Sequence, residues 1–384
     1  MNQLKKIWLP LFLLACICSC KTKIEEPKIT AGSADLTKFL AVGGSYTAGY
    51  MDGALYLEGQ QNSFPSILSK SFSDVSSQTF LQPLVNPGVG IGLDSNAKLI
   101  LTNSTFCYGS SLSPEYASQT GDLSDYSWIG SQGPFSNLGL PGLRIFQINN
   151  QLFGNPQAGN PFYSRFVKMQ DNDHTLLSDM TEFNPTFFSV WLGMDDILPY
   201  ALNGGAPIKG TTPPKYDTIA SPDYSATFGL YLEMMMKTLT SNKAKGAIGN
   251  IPSILDFPFF TAIPYNGVIL SDSEATAINE KLSATYPDLQ FYAGNNPFVI
   301  DDPGALRGKR FINSNEFILM SVPLEEIKCN HYGSYNLKDS SLHAIADQYV
   351  INGAEAALIL QRIFDFNQKI KDVAVANDLA YVDM

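Results

Sequence analysis

The chain has 384 residues, 45% hydrophobic and 16% charged, enough apolar material for one large domain or two ordinary ones around a buried core. Acidic residues outnumber basic ones 36 to 25, a net charge of −11, which argues against the basic footprint through which proteins hold nucleic acid. Five cysteines, three of them crowded near the N-terminus, provide neither a disulfide framework nor a zinc signature.

The opening "MNQLKKIWLPLFLLACICSC" carries Lys5 and Lys6 and then an apolar run from Ile7 to Cys18. This run is too short to cross a bilayer and has the layout of a secretory signal. Its end, "ICSC", resembles the lipobox of bacterial lipoproteins, in which the final cysteine carries lipid and becomes the mature N-terminus. The resemblance implies a signal over residues 1–20, lipidation at Cys20 and a membrane anchor through that lipid, at the outer membrane of a bacterial envelope. "LLAC", ending at Cys16, fits the pattern nearly as well. Loss of the two lysines with the signal leaves a net charge of about −13. Residues 21–35, "KTKIEEPKITAGSAD", are short, polar and proline-containing, as suits a tether, and one domain is expected over 36–384.

Within that domain the runs "KFLAVGG", "TFFSVWLG", "KGAIGNIP" and "LAYVDM" are bounded by Gly, Pro or Asp and read as strands covered on both faces. Residues about 88–133 are rich in Gly, Ser and Tyr without helical period. They are expected to hold a hairpin around "AKLIL" and a long excursion of the kind that builds binding surfaces. "GVGIG", at 88–92, lacks the spacing and the following helix of a dinucleotide loop and reads as turn chemistry. "DYSATFGLYLEMMMKTLTSN" aligns Phe228, Leu232, Met235 and Leu239 on one helical face, with its methionines as core filler. Asn352 and Glu355 stand at capping-box spacing ahead of Ile359, Ile363, Phe366, Ile370 and Val373. Alternating strands and helices predict an α/β fold, a parallel sheet wrapped by helices. Cys107 and Cys329 remain open between one disulfide and two separate thiols.

Ligands of such sheets bind beyond the carboxyl ends of the strands, and three segments leave the sheet there. "GGSYTAG" carries Ser45, "FSNLGLPGLRI" carries Gly139 and Gly142 in a glycine-rich turn read as needing positive φ, and "WLGMDDILPY" carries Asp195 and Asp196. In this order the blocks resemble the first three of the SGNH (GDSL-type) hydrolases, and "DGALYLEGQQNSFPSIL" and "AKGAIGNIPSILDFPFF" resemble envelope lipoproteins of that family. The resemblance implies a three-layer flavodoxin-like fold, Ser45 as nucleophile toward an ester carbonyl, and the N–H groups of Ser45 and Gly142 as oxyanion donors. The family's third donor is an asparagine. Asp195 holds that position here, and an ionised carboxylate only accepts hydrogen bonds.

Two further departures are Gly44, where the family has Asp, and Tyr46, where it has Leu. The family's last block, Asp-x-x-His, supplies the general base and would follow "AYVDM", where the chain stops, so the C-terminus reads as truncated. Of the three histidines, His174 precedes the third block, His331 sits in "KCNHYGSYN", and His343 stands four residues after Asp339, one more than the family spacing. The expected function is a membrane-anchored serine ester hydrolase acting on a small acyl ester, lipid or acetylated glycan, with no metal or organic cofactor implied. The alternative is a surface lipoprotein on the same fold that binds glycan or lipid without turnover. Its 24 Phe and 18 Tyr would supply aromatic faces for sugars.

Overall fold

The computed structural model describes residues 29–157, 159–167, 174–206, 219–221 and 223–384; the signal segment with Cys20 and residues 21–28 of the tether lie outside the described residues. Five apolar or glycine residues, FLAVG, form strand β1 (Phe39–Gly43), which is buried along its whole length. Its neighbours are β2 (Asn137–Gly139) and β3 (Phe187–Trp191), and beyond β3 lie β4 (Lys245–Gly249) and β5 (Ala380–Val382). All four pairings are parallel, so the protein is α/β with a central five-stranded parallel sheet.

The strand order is 2-1-3-4-5. The chain leaves β1 toward one edge and later passes β1 to build the other half, so its connections diverge between β1 and β3 and open a crevice at their carboxyl ends. One expectation is corrected at the edge. Residues 380–382 are not covered on both faces but exposed throughout, because β5 has a neighbour on one side only.

Helices flank the sheet. They include α1 (Ser45–Ala48), α2 (Phe64–Phe72), α3 (Leu176–Phe183), α4 (Met194–Leu202), α5 (Tyr224–Leu239) and α6 (Gly353–Ala376). Strand alternation sends Phe39 and Phe187 to one face, where Phe72 of α2 meets their rings at centroid distances of 5.1 and 5.7 Å. Leu40, Val42, Phe188 and Val190 face the other way, into the main core that α5 and α6 complete. There Phe228 and Phe366 stack with centroids 4.1 Å apart. All the apolar positions named for these two helices are buried, as their 3.6-residue period requires.

The N-terminus of α6 is capped as its spacing predicts. Asn352 Oδ1 accepts from the N–H groups of Ala354 (2.9 Å) and Glu355 (3.1 Å), and Glu355 Oε2 accepts from Asn352 N–H (2.9 Å). Asn352→Ala is expected to lower unfolding free energy by about 1 kcal/mol in a urea titration.

Two excursions leave this frame. The expected hairpin forms from residues Leu99–Phe106 and Gly109–Tyr116, paired antiparallel. The second was not foreseen: Val268 to Val350 fold around a separate buried cluster including Ile278, Phe291, Phe298 and Ile345. Cys107, in the turn of the hairpin, is disulfide-bonded to Cys329 in helix Leu324–Asn330, with a Cα separation of 5.9 Å, and Lys328 lies over the Tyr108 ring at 4.3 Å. The bridge closes the question left by the sequence and ties one excursion to the other. Reduction is expected to raise amide hydrogen exchange across residues 99–116 well before the strands of the central sheet respond.

Candidate active site

At the end of β1 the chain turns sharply from strand into α1, and close approach explains the glycines. A Cβ on Gly43 would stand 2.4 Å from Trp191 O, and one on Gly139 would stand 2.3 Å from Ala48 N. Gly139 therefore does not meet the expected need for positive φ; it is an extended strand residue chosen for lack of bulk. Gly142 does adopt φ 74°, in the turn after β2 that brings its N–H toward Ser45.

Ser45, Gly142 and Asp195 come together at the crevice between β1 and β3. The Ser45 hydroxyl donates to Asp195 Oδ1 at 2.7 Å, and the Ser45 N–H donates to Asp195 Oδ2 at 2.9 Å. Gly142 N–H points at Ser45 Oγ from 3.3 Å. A Cβ on Gly44 would lie 1.9 Å from Asp195 Oδ2, so the missing side chain at position 44 is what admits the carboxylate. Gly44 and Asp195 are thus one structural feature.

Burial pushes the Asp195 carboxyl above its usual range, while the Ser45 hydrogen bonds pull it down. Behind it Asp196 accepts from Tyr224 O–H (2.5 Å) and from Ile145 N–H (3.0 and 3.2 Å). Burial pushes Asp196 up to about 7, with the charge of Asp195 adding to the rise and that of Arg144 offsetting part of it. Burial and the adjacent Asp196 charge raise Tyr224 in turn. Tyr224 was missed as a site residue. It opens α5, far from any of the three blocks, and no local signal marks it.

Aromatic side chains rim the crevice. Tyr46, 44% exposed, lies 5.2 Å from the Trp191 ring and 6.4 Å from Phe257, and Trp191 meets Phe64 edge-on at 5.6 Å. Across from them Leu93, from the excursion, packs beside Gly142. Ser45 itself is half-buried, and the recess beside it offers about 10 Å³, room for about one water. Concavities of about 290 and 480 Å³ share Gly133 and Pro134, and the larger is lined by Lys38 and Ser136, which precede β1 and β2 at the opposite ends of the strands from Ser45.

The histidines are engaged elsewhere. His174 lies 2.7 Å from Asp179, His343 bonds Asp339 (2.9 Å) and Ser341 (2.5 Å), and His331 terminates helix Leu324–Asn330. Among the described residues the partners of Ser45 Oγ are Asp195 and Gly142. No cluster of His, Cys, Asp and Glu among the described residues is placed to hold a metal ion, and no described helix is long and apolar enough to cross a membrane.

Fold and site together define an α/β protein with a serine at the switch point of a parallel sheet. Set against family models, curated proteins and solved structures, the chain matches none.

Proposed function

We propose that this chain is a membrane-anchored serine ester hydrolase of the SGNH/GDSL type, with Ser45 as nucleophile. The observation that carries the reading is the convergence of Ser45 Oγ, the Gly142 N–H and Asp195, from three distant segments, on one crevice. An ester carbonyl there would meet the hydroxyl and two backbone donors. Oγ attacks the carbonyl carbon as its proton passes to solvent hydroxide, which becomes water, and the N–H groups of Ser45 and Gly142 hold the oxyanion. Collapse expels the alcohol and leaves acyl-Ser45, which water then cleaves to the acid. The Cys107–Cys329 bridge supports an oxidising, exported setting, consistent with a lipid anchor at Cys20.

A fluorophosphonate probe tests this reading. Labelling of the wild-type protein that is lost in Ser45→Ala is the expected result, and labelling that survives the substitution would falsify it.

A second reading is favoured by one specific observation: the acceptor of the Ser45 hydroxyl hydrogen bond is a carboxylate that also covers the Ser45 N–H, and among the described residues no histidine bonds the serine. On that reading the crevice binds a glycan or lipid without turnover, along the aromatic rim. Saturable glycan or lipid binding that Tyr46→Ala weakens by about tenfold, with no Ser45 labelling, would decide for it.

A further inference from the structure

Of the two amides aimed at an oxyanion, that of Ser45 already holds an anion, and that of Gly142 points at the hydroxyl bonded to the same anion. Asp195 presents one carboxylate oxygen to the Ser45 N–H at 2.9 Å and the other to the Ser45 hydroxyl at 2.7 Å. The Gly142 N–H stands beside this pair, directed at Ser45 Oγ from 3.3 Å, and its dipole helps to pull the Asp195 carboxyl down. The cradle is shaped for it, since any side chain at Gly44 would collide with Oδ2. Besides Ser45 and Gly142, the charged and titratable groups acting on Asp195 or felt by it are Arg144, Asp196 and Tyr46.

We propose that the Ser45 and Gly142 amides form a pocket for a planar carboxylate or an oxyanion, and that Asp195 is its built-in occupant, which an external acyl group must displace. The proposal rests on the same site as the hydrolase reading but not on turnover. It makes small carboxylates, the acid products of ester cleavage, the natural external ligands of the pocket. Ionised Asp195 competes with them through charge-assisted hydrogen bonds, which are about twice as strong as neutral ones. A protonated Asp195 no longer competes in this way, and burial favours that form.

The test uses the full-length protein with 15N-labelled serine and glycine, titrated with sodium acetate against sodium chloride of equal ionic strength. In Asp195→Ala the Ser45 and Gly142 amide resonances are expected to shift together and saturate in the millimolar range, while in wild type at about pH 8 they move by less than about a tenth as much. A folded variant without saturable shifts, or a wild type that shifts equally, overturns the proposal.

A second measurement needs no variant. On acidifying the wild-type protein from about pH 8 to about pH 3, both amide resonances are expected to titrate with one shared midpoint above the ordinary carboxylate range. Amides that ignore pH, or that titrate separately, overturn it as well. Failure of Ser45 labelling with acetate binding intact would remove the hydrolase reading alone. Intact labelling without acetate binding would remove this proposal alone.

Discussion

Asp195→Asn is expected to raise the rate of fluorophosphonate labelling at Ser45 by about a hundredfold at neutral pH. The exchange keeps the shape of the side chain and the room that Gly44 leaves for it. It removes the negative charge that now sits where charge develops during attack on the serine's target. The carboxamide can still accept the Ser45 N–H, but as a neutral partner it is more easily displaced. Its Nδ2 adds the donor that the carboxylate lacks, and one such donor is worth about a hundred- to a thousandfold in rate. Gly44→Ala is the useful companion, because its Cβ would occupy the place of Oδ2 and push the wild-type carboxylate off the Ser45 N–H. Labelling in Asp195→Asn that stays at the wild-type level would show that the charge is no brake on the serine, and would weigh toward binding without turnover.

Stability should fall by about 3 kcal/mol as pH rises from about 5 to about 8, read as a declining urea midpoint. The Asp196 carboxyl is raised to about 7 in the folded protein, first by burial. Burial likewise raises Glu355 to about 7. In the unfolded chain both release their protons near pH 4. Between these values the folded state holds more protons. The stabilisation is therefore complete below about pH 4 and is lost as pH climbs through about 7. Each unit of difference is worth about 1.4 kcal/mol, and the half-buried Glu355 contributes less than its shift because solvent screens it.

Carboxyls held low do not cancel this slope. Asp302, lowered by its hydrogen bond from Arg310, and Asp339, lowered by that from Ser341, stabilise the fold above about pH 4 and release that contribution only as pH drops through their lowered values. Asp196→Asn should flatten most of the decline, since an uncharged amide oxygen can still accept from Tyr224 and Ile145. A slope left unchanged by that substitution would locate the effect elsewhere.

Much of the frame was legible because its signals are local. The runs around Val42, Val190 and Ile248 are short, apolar and bounded by breakers, and each became a buried strand of the central sheet. Phe228 to Leu239 and Ile359 to Val373 keep a helical period over several turns, and both helices formed with those faces inward. The Asn352 cap is written in four consecutive residues. The unforeseen cluster from Val268 to Val350 was hard to see because its paired strands are only two or three residues long, and its one local signal, the Ser271–Glu274 capping box that opens helix Asp272–Leu282, went unread.

For the site, the sequence by itself determined that Ser45, Gly142 and Asp195 leave strand ends on one side of a parallel sheet. That follows from strand direction and the rule for where such sheets bind. Only the tertiary structure decided that the Asp195 carboxylate lies against the Ser45 amide, that Gly44 makes the space for it, that Tyr224 reaches Asp196, and that Cys107 meets Cys329. The physical reason is range. A strand or a cap depends on neighbours along the chain, whereas a bond between residues 150 positions apart depends on how two strands register across the sheet. It depends equally on how much side chain each leaves in the crevice between them.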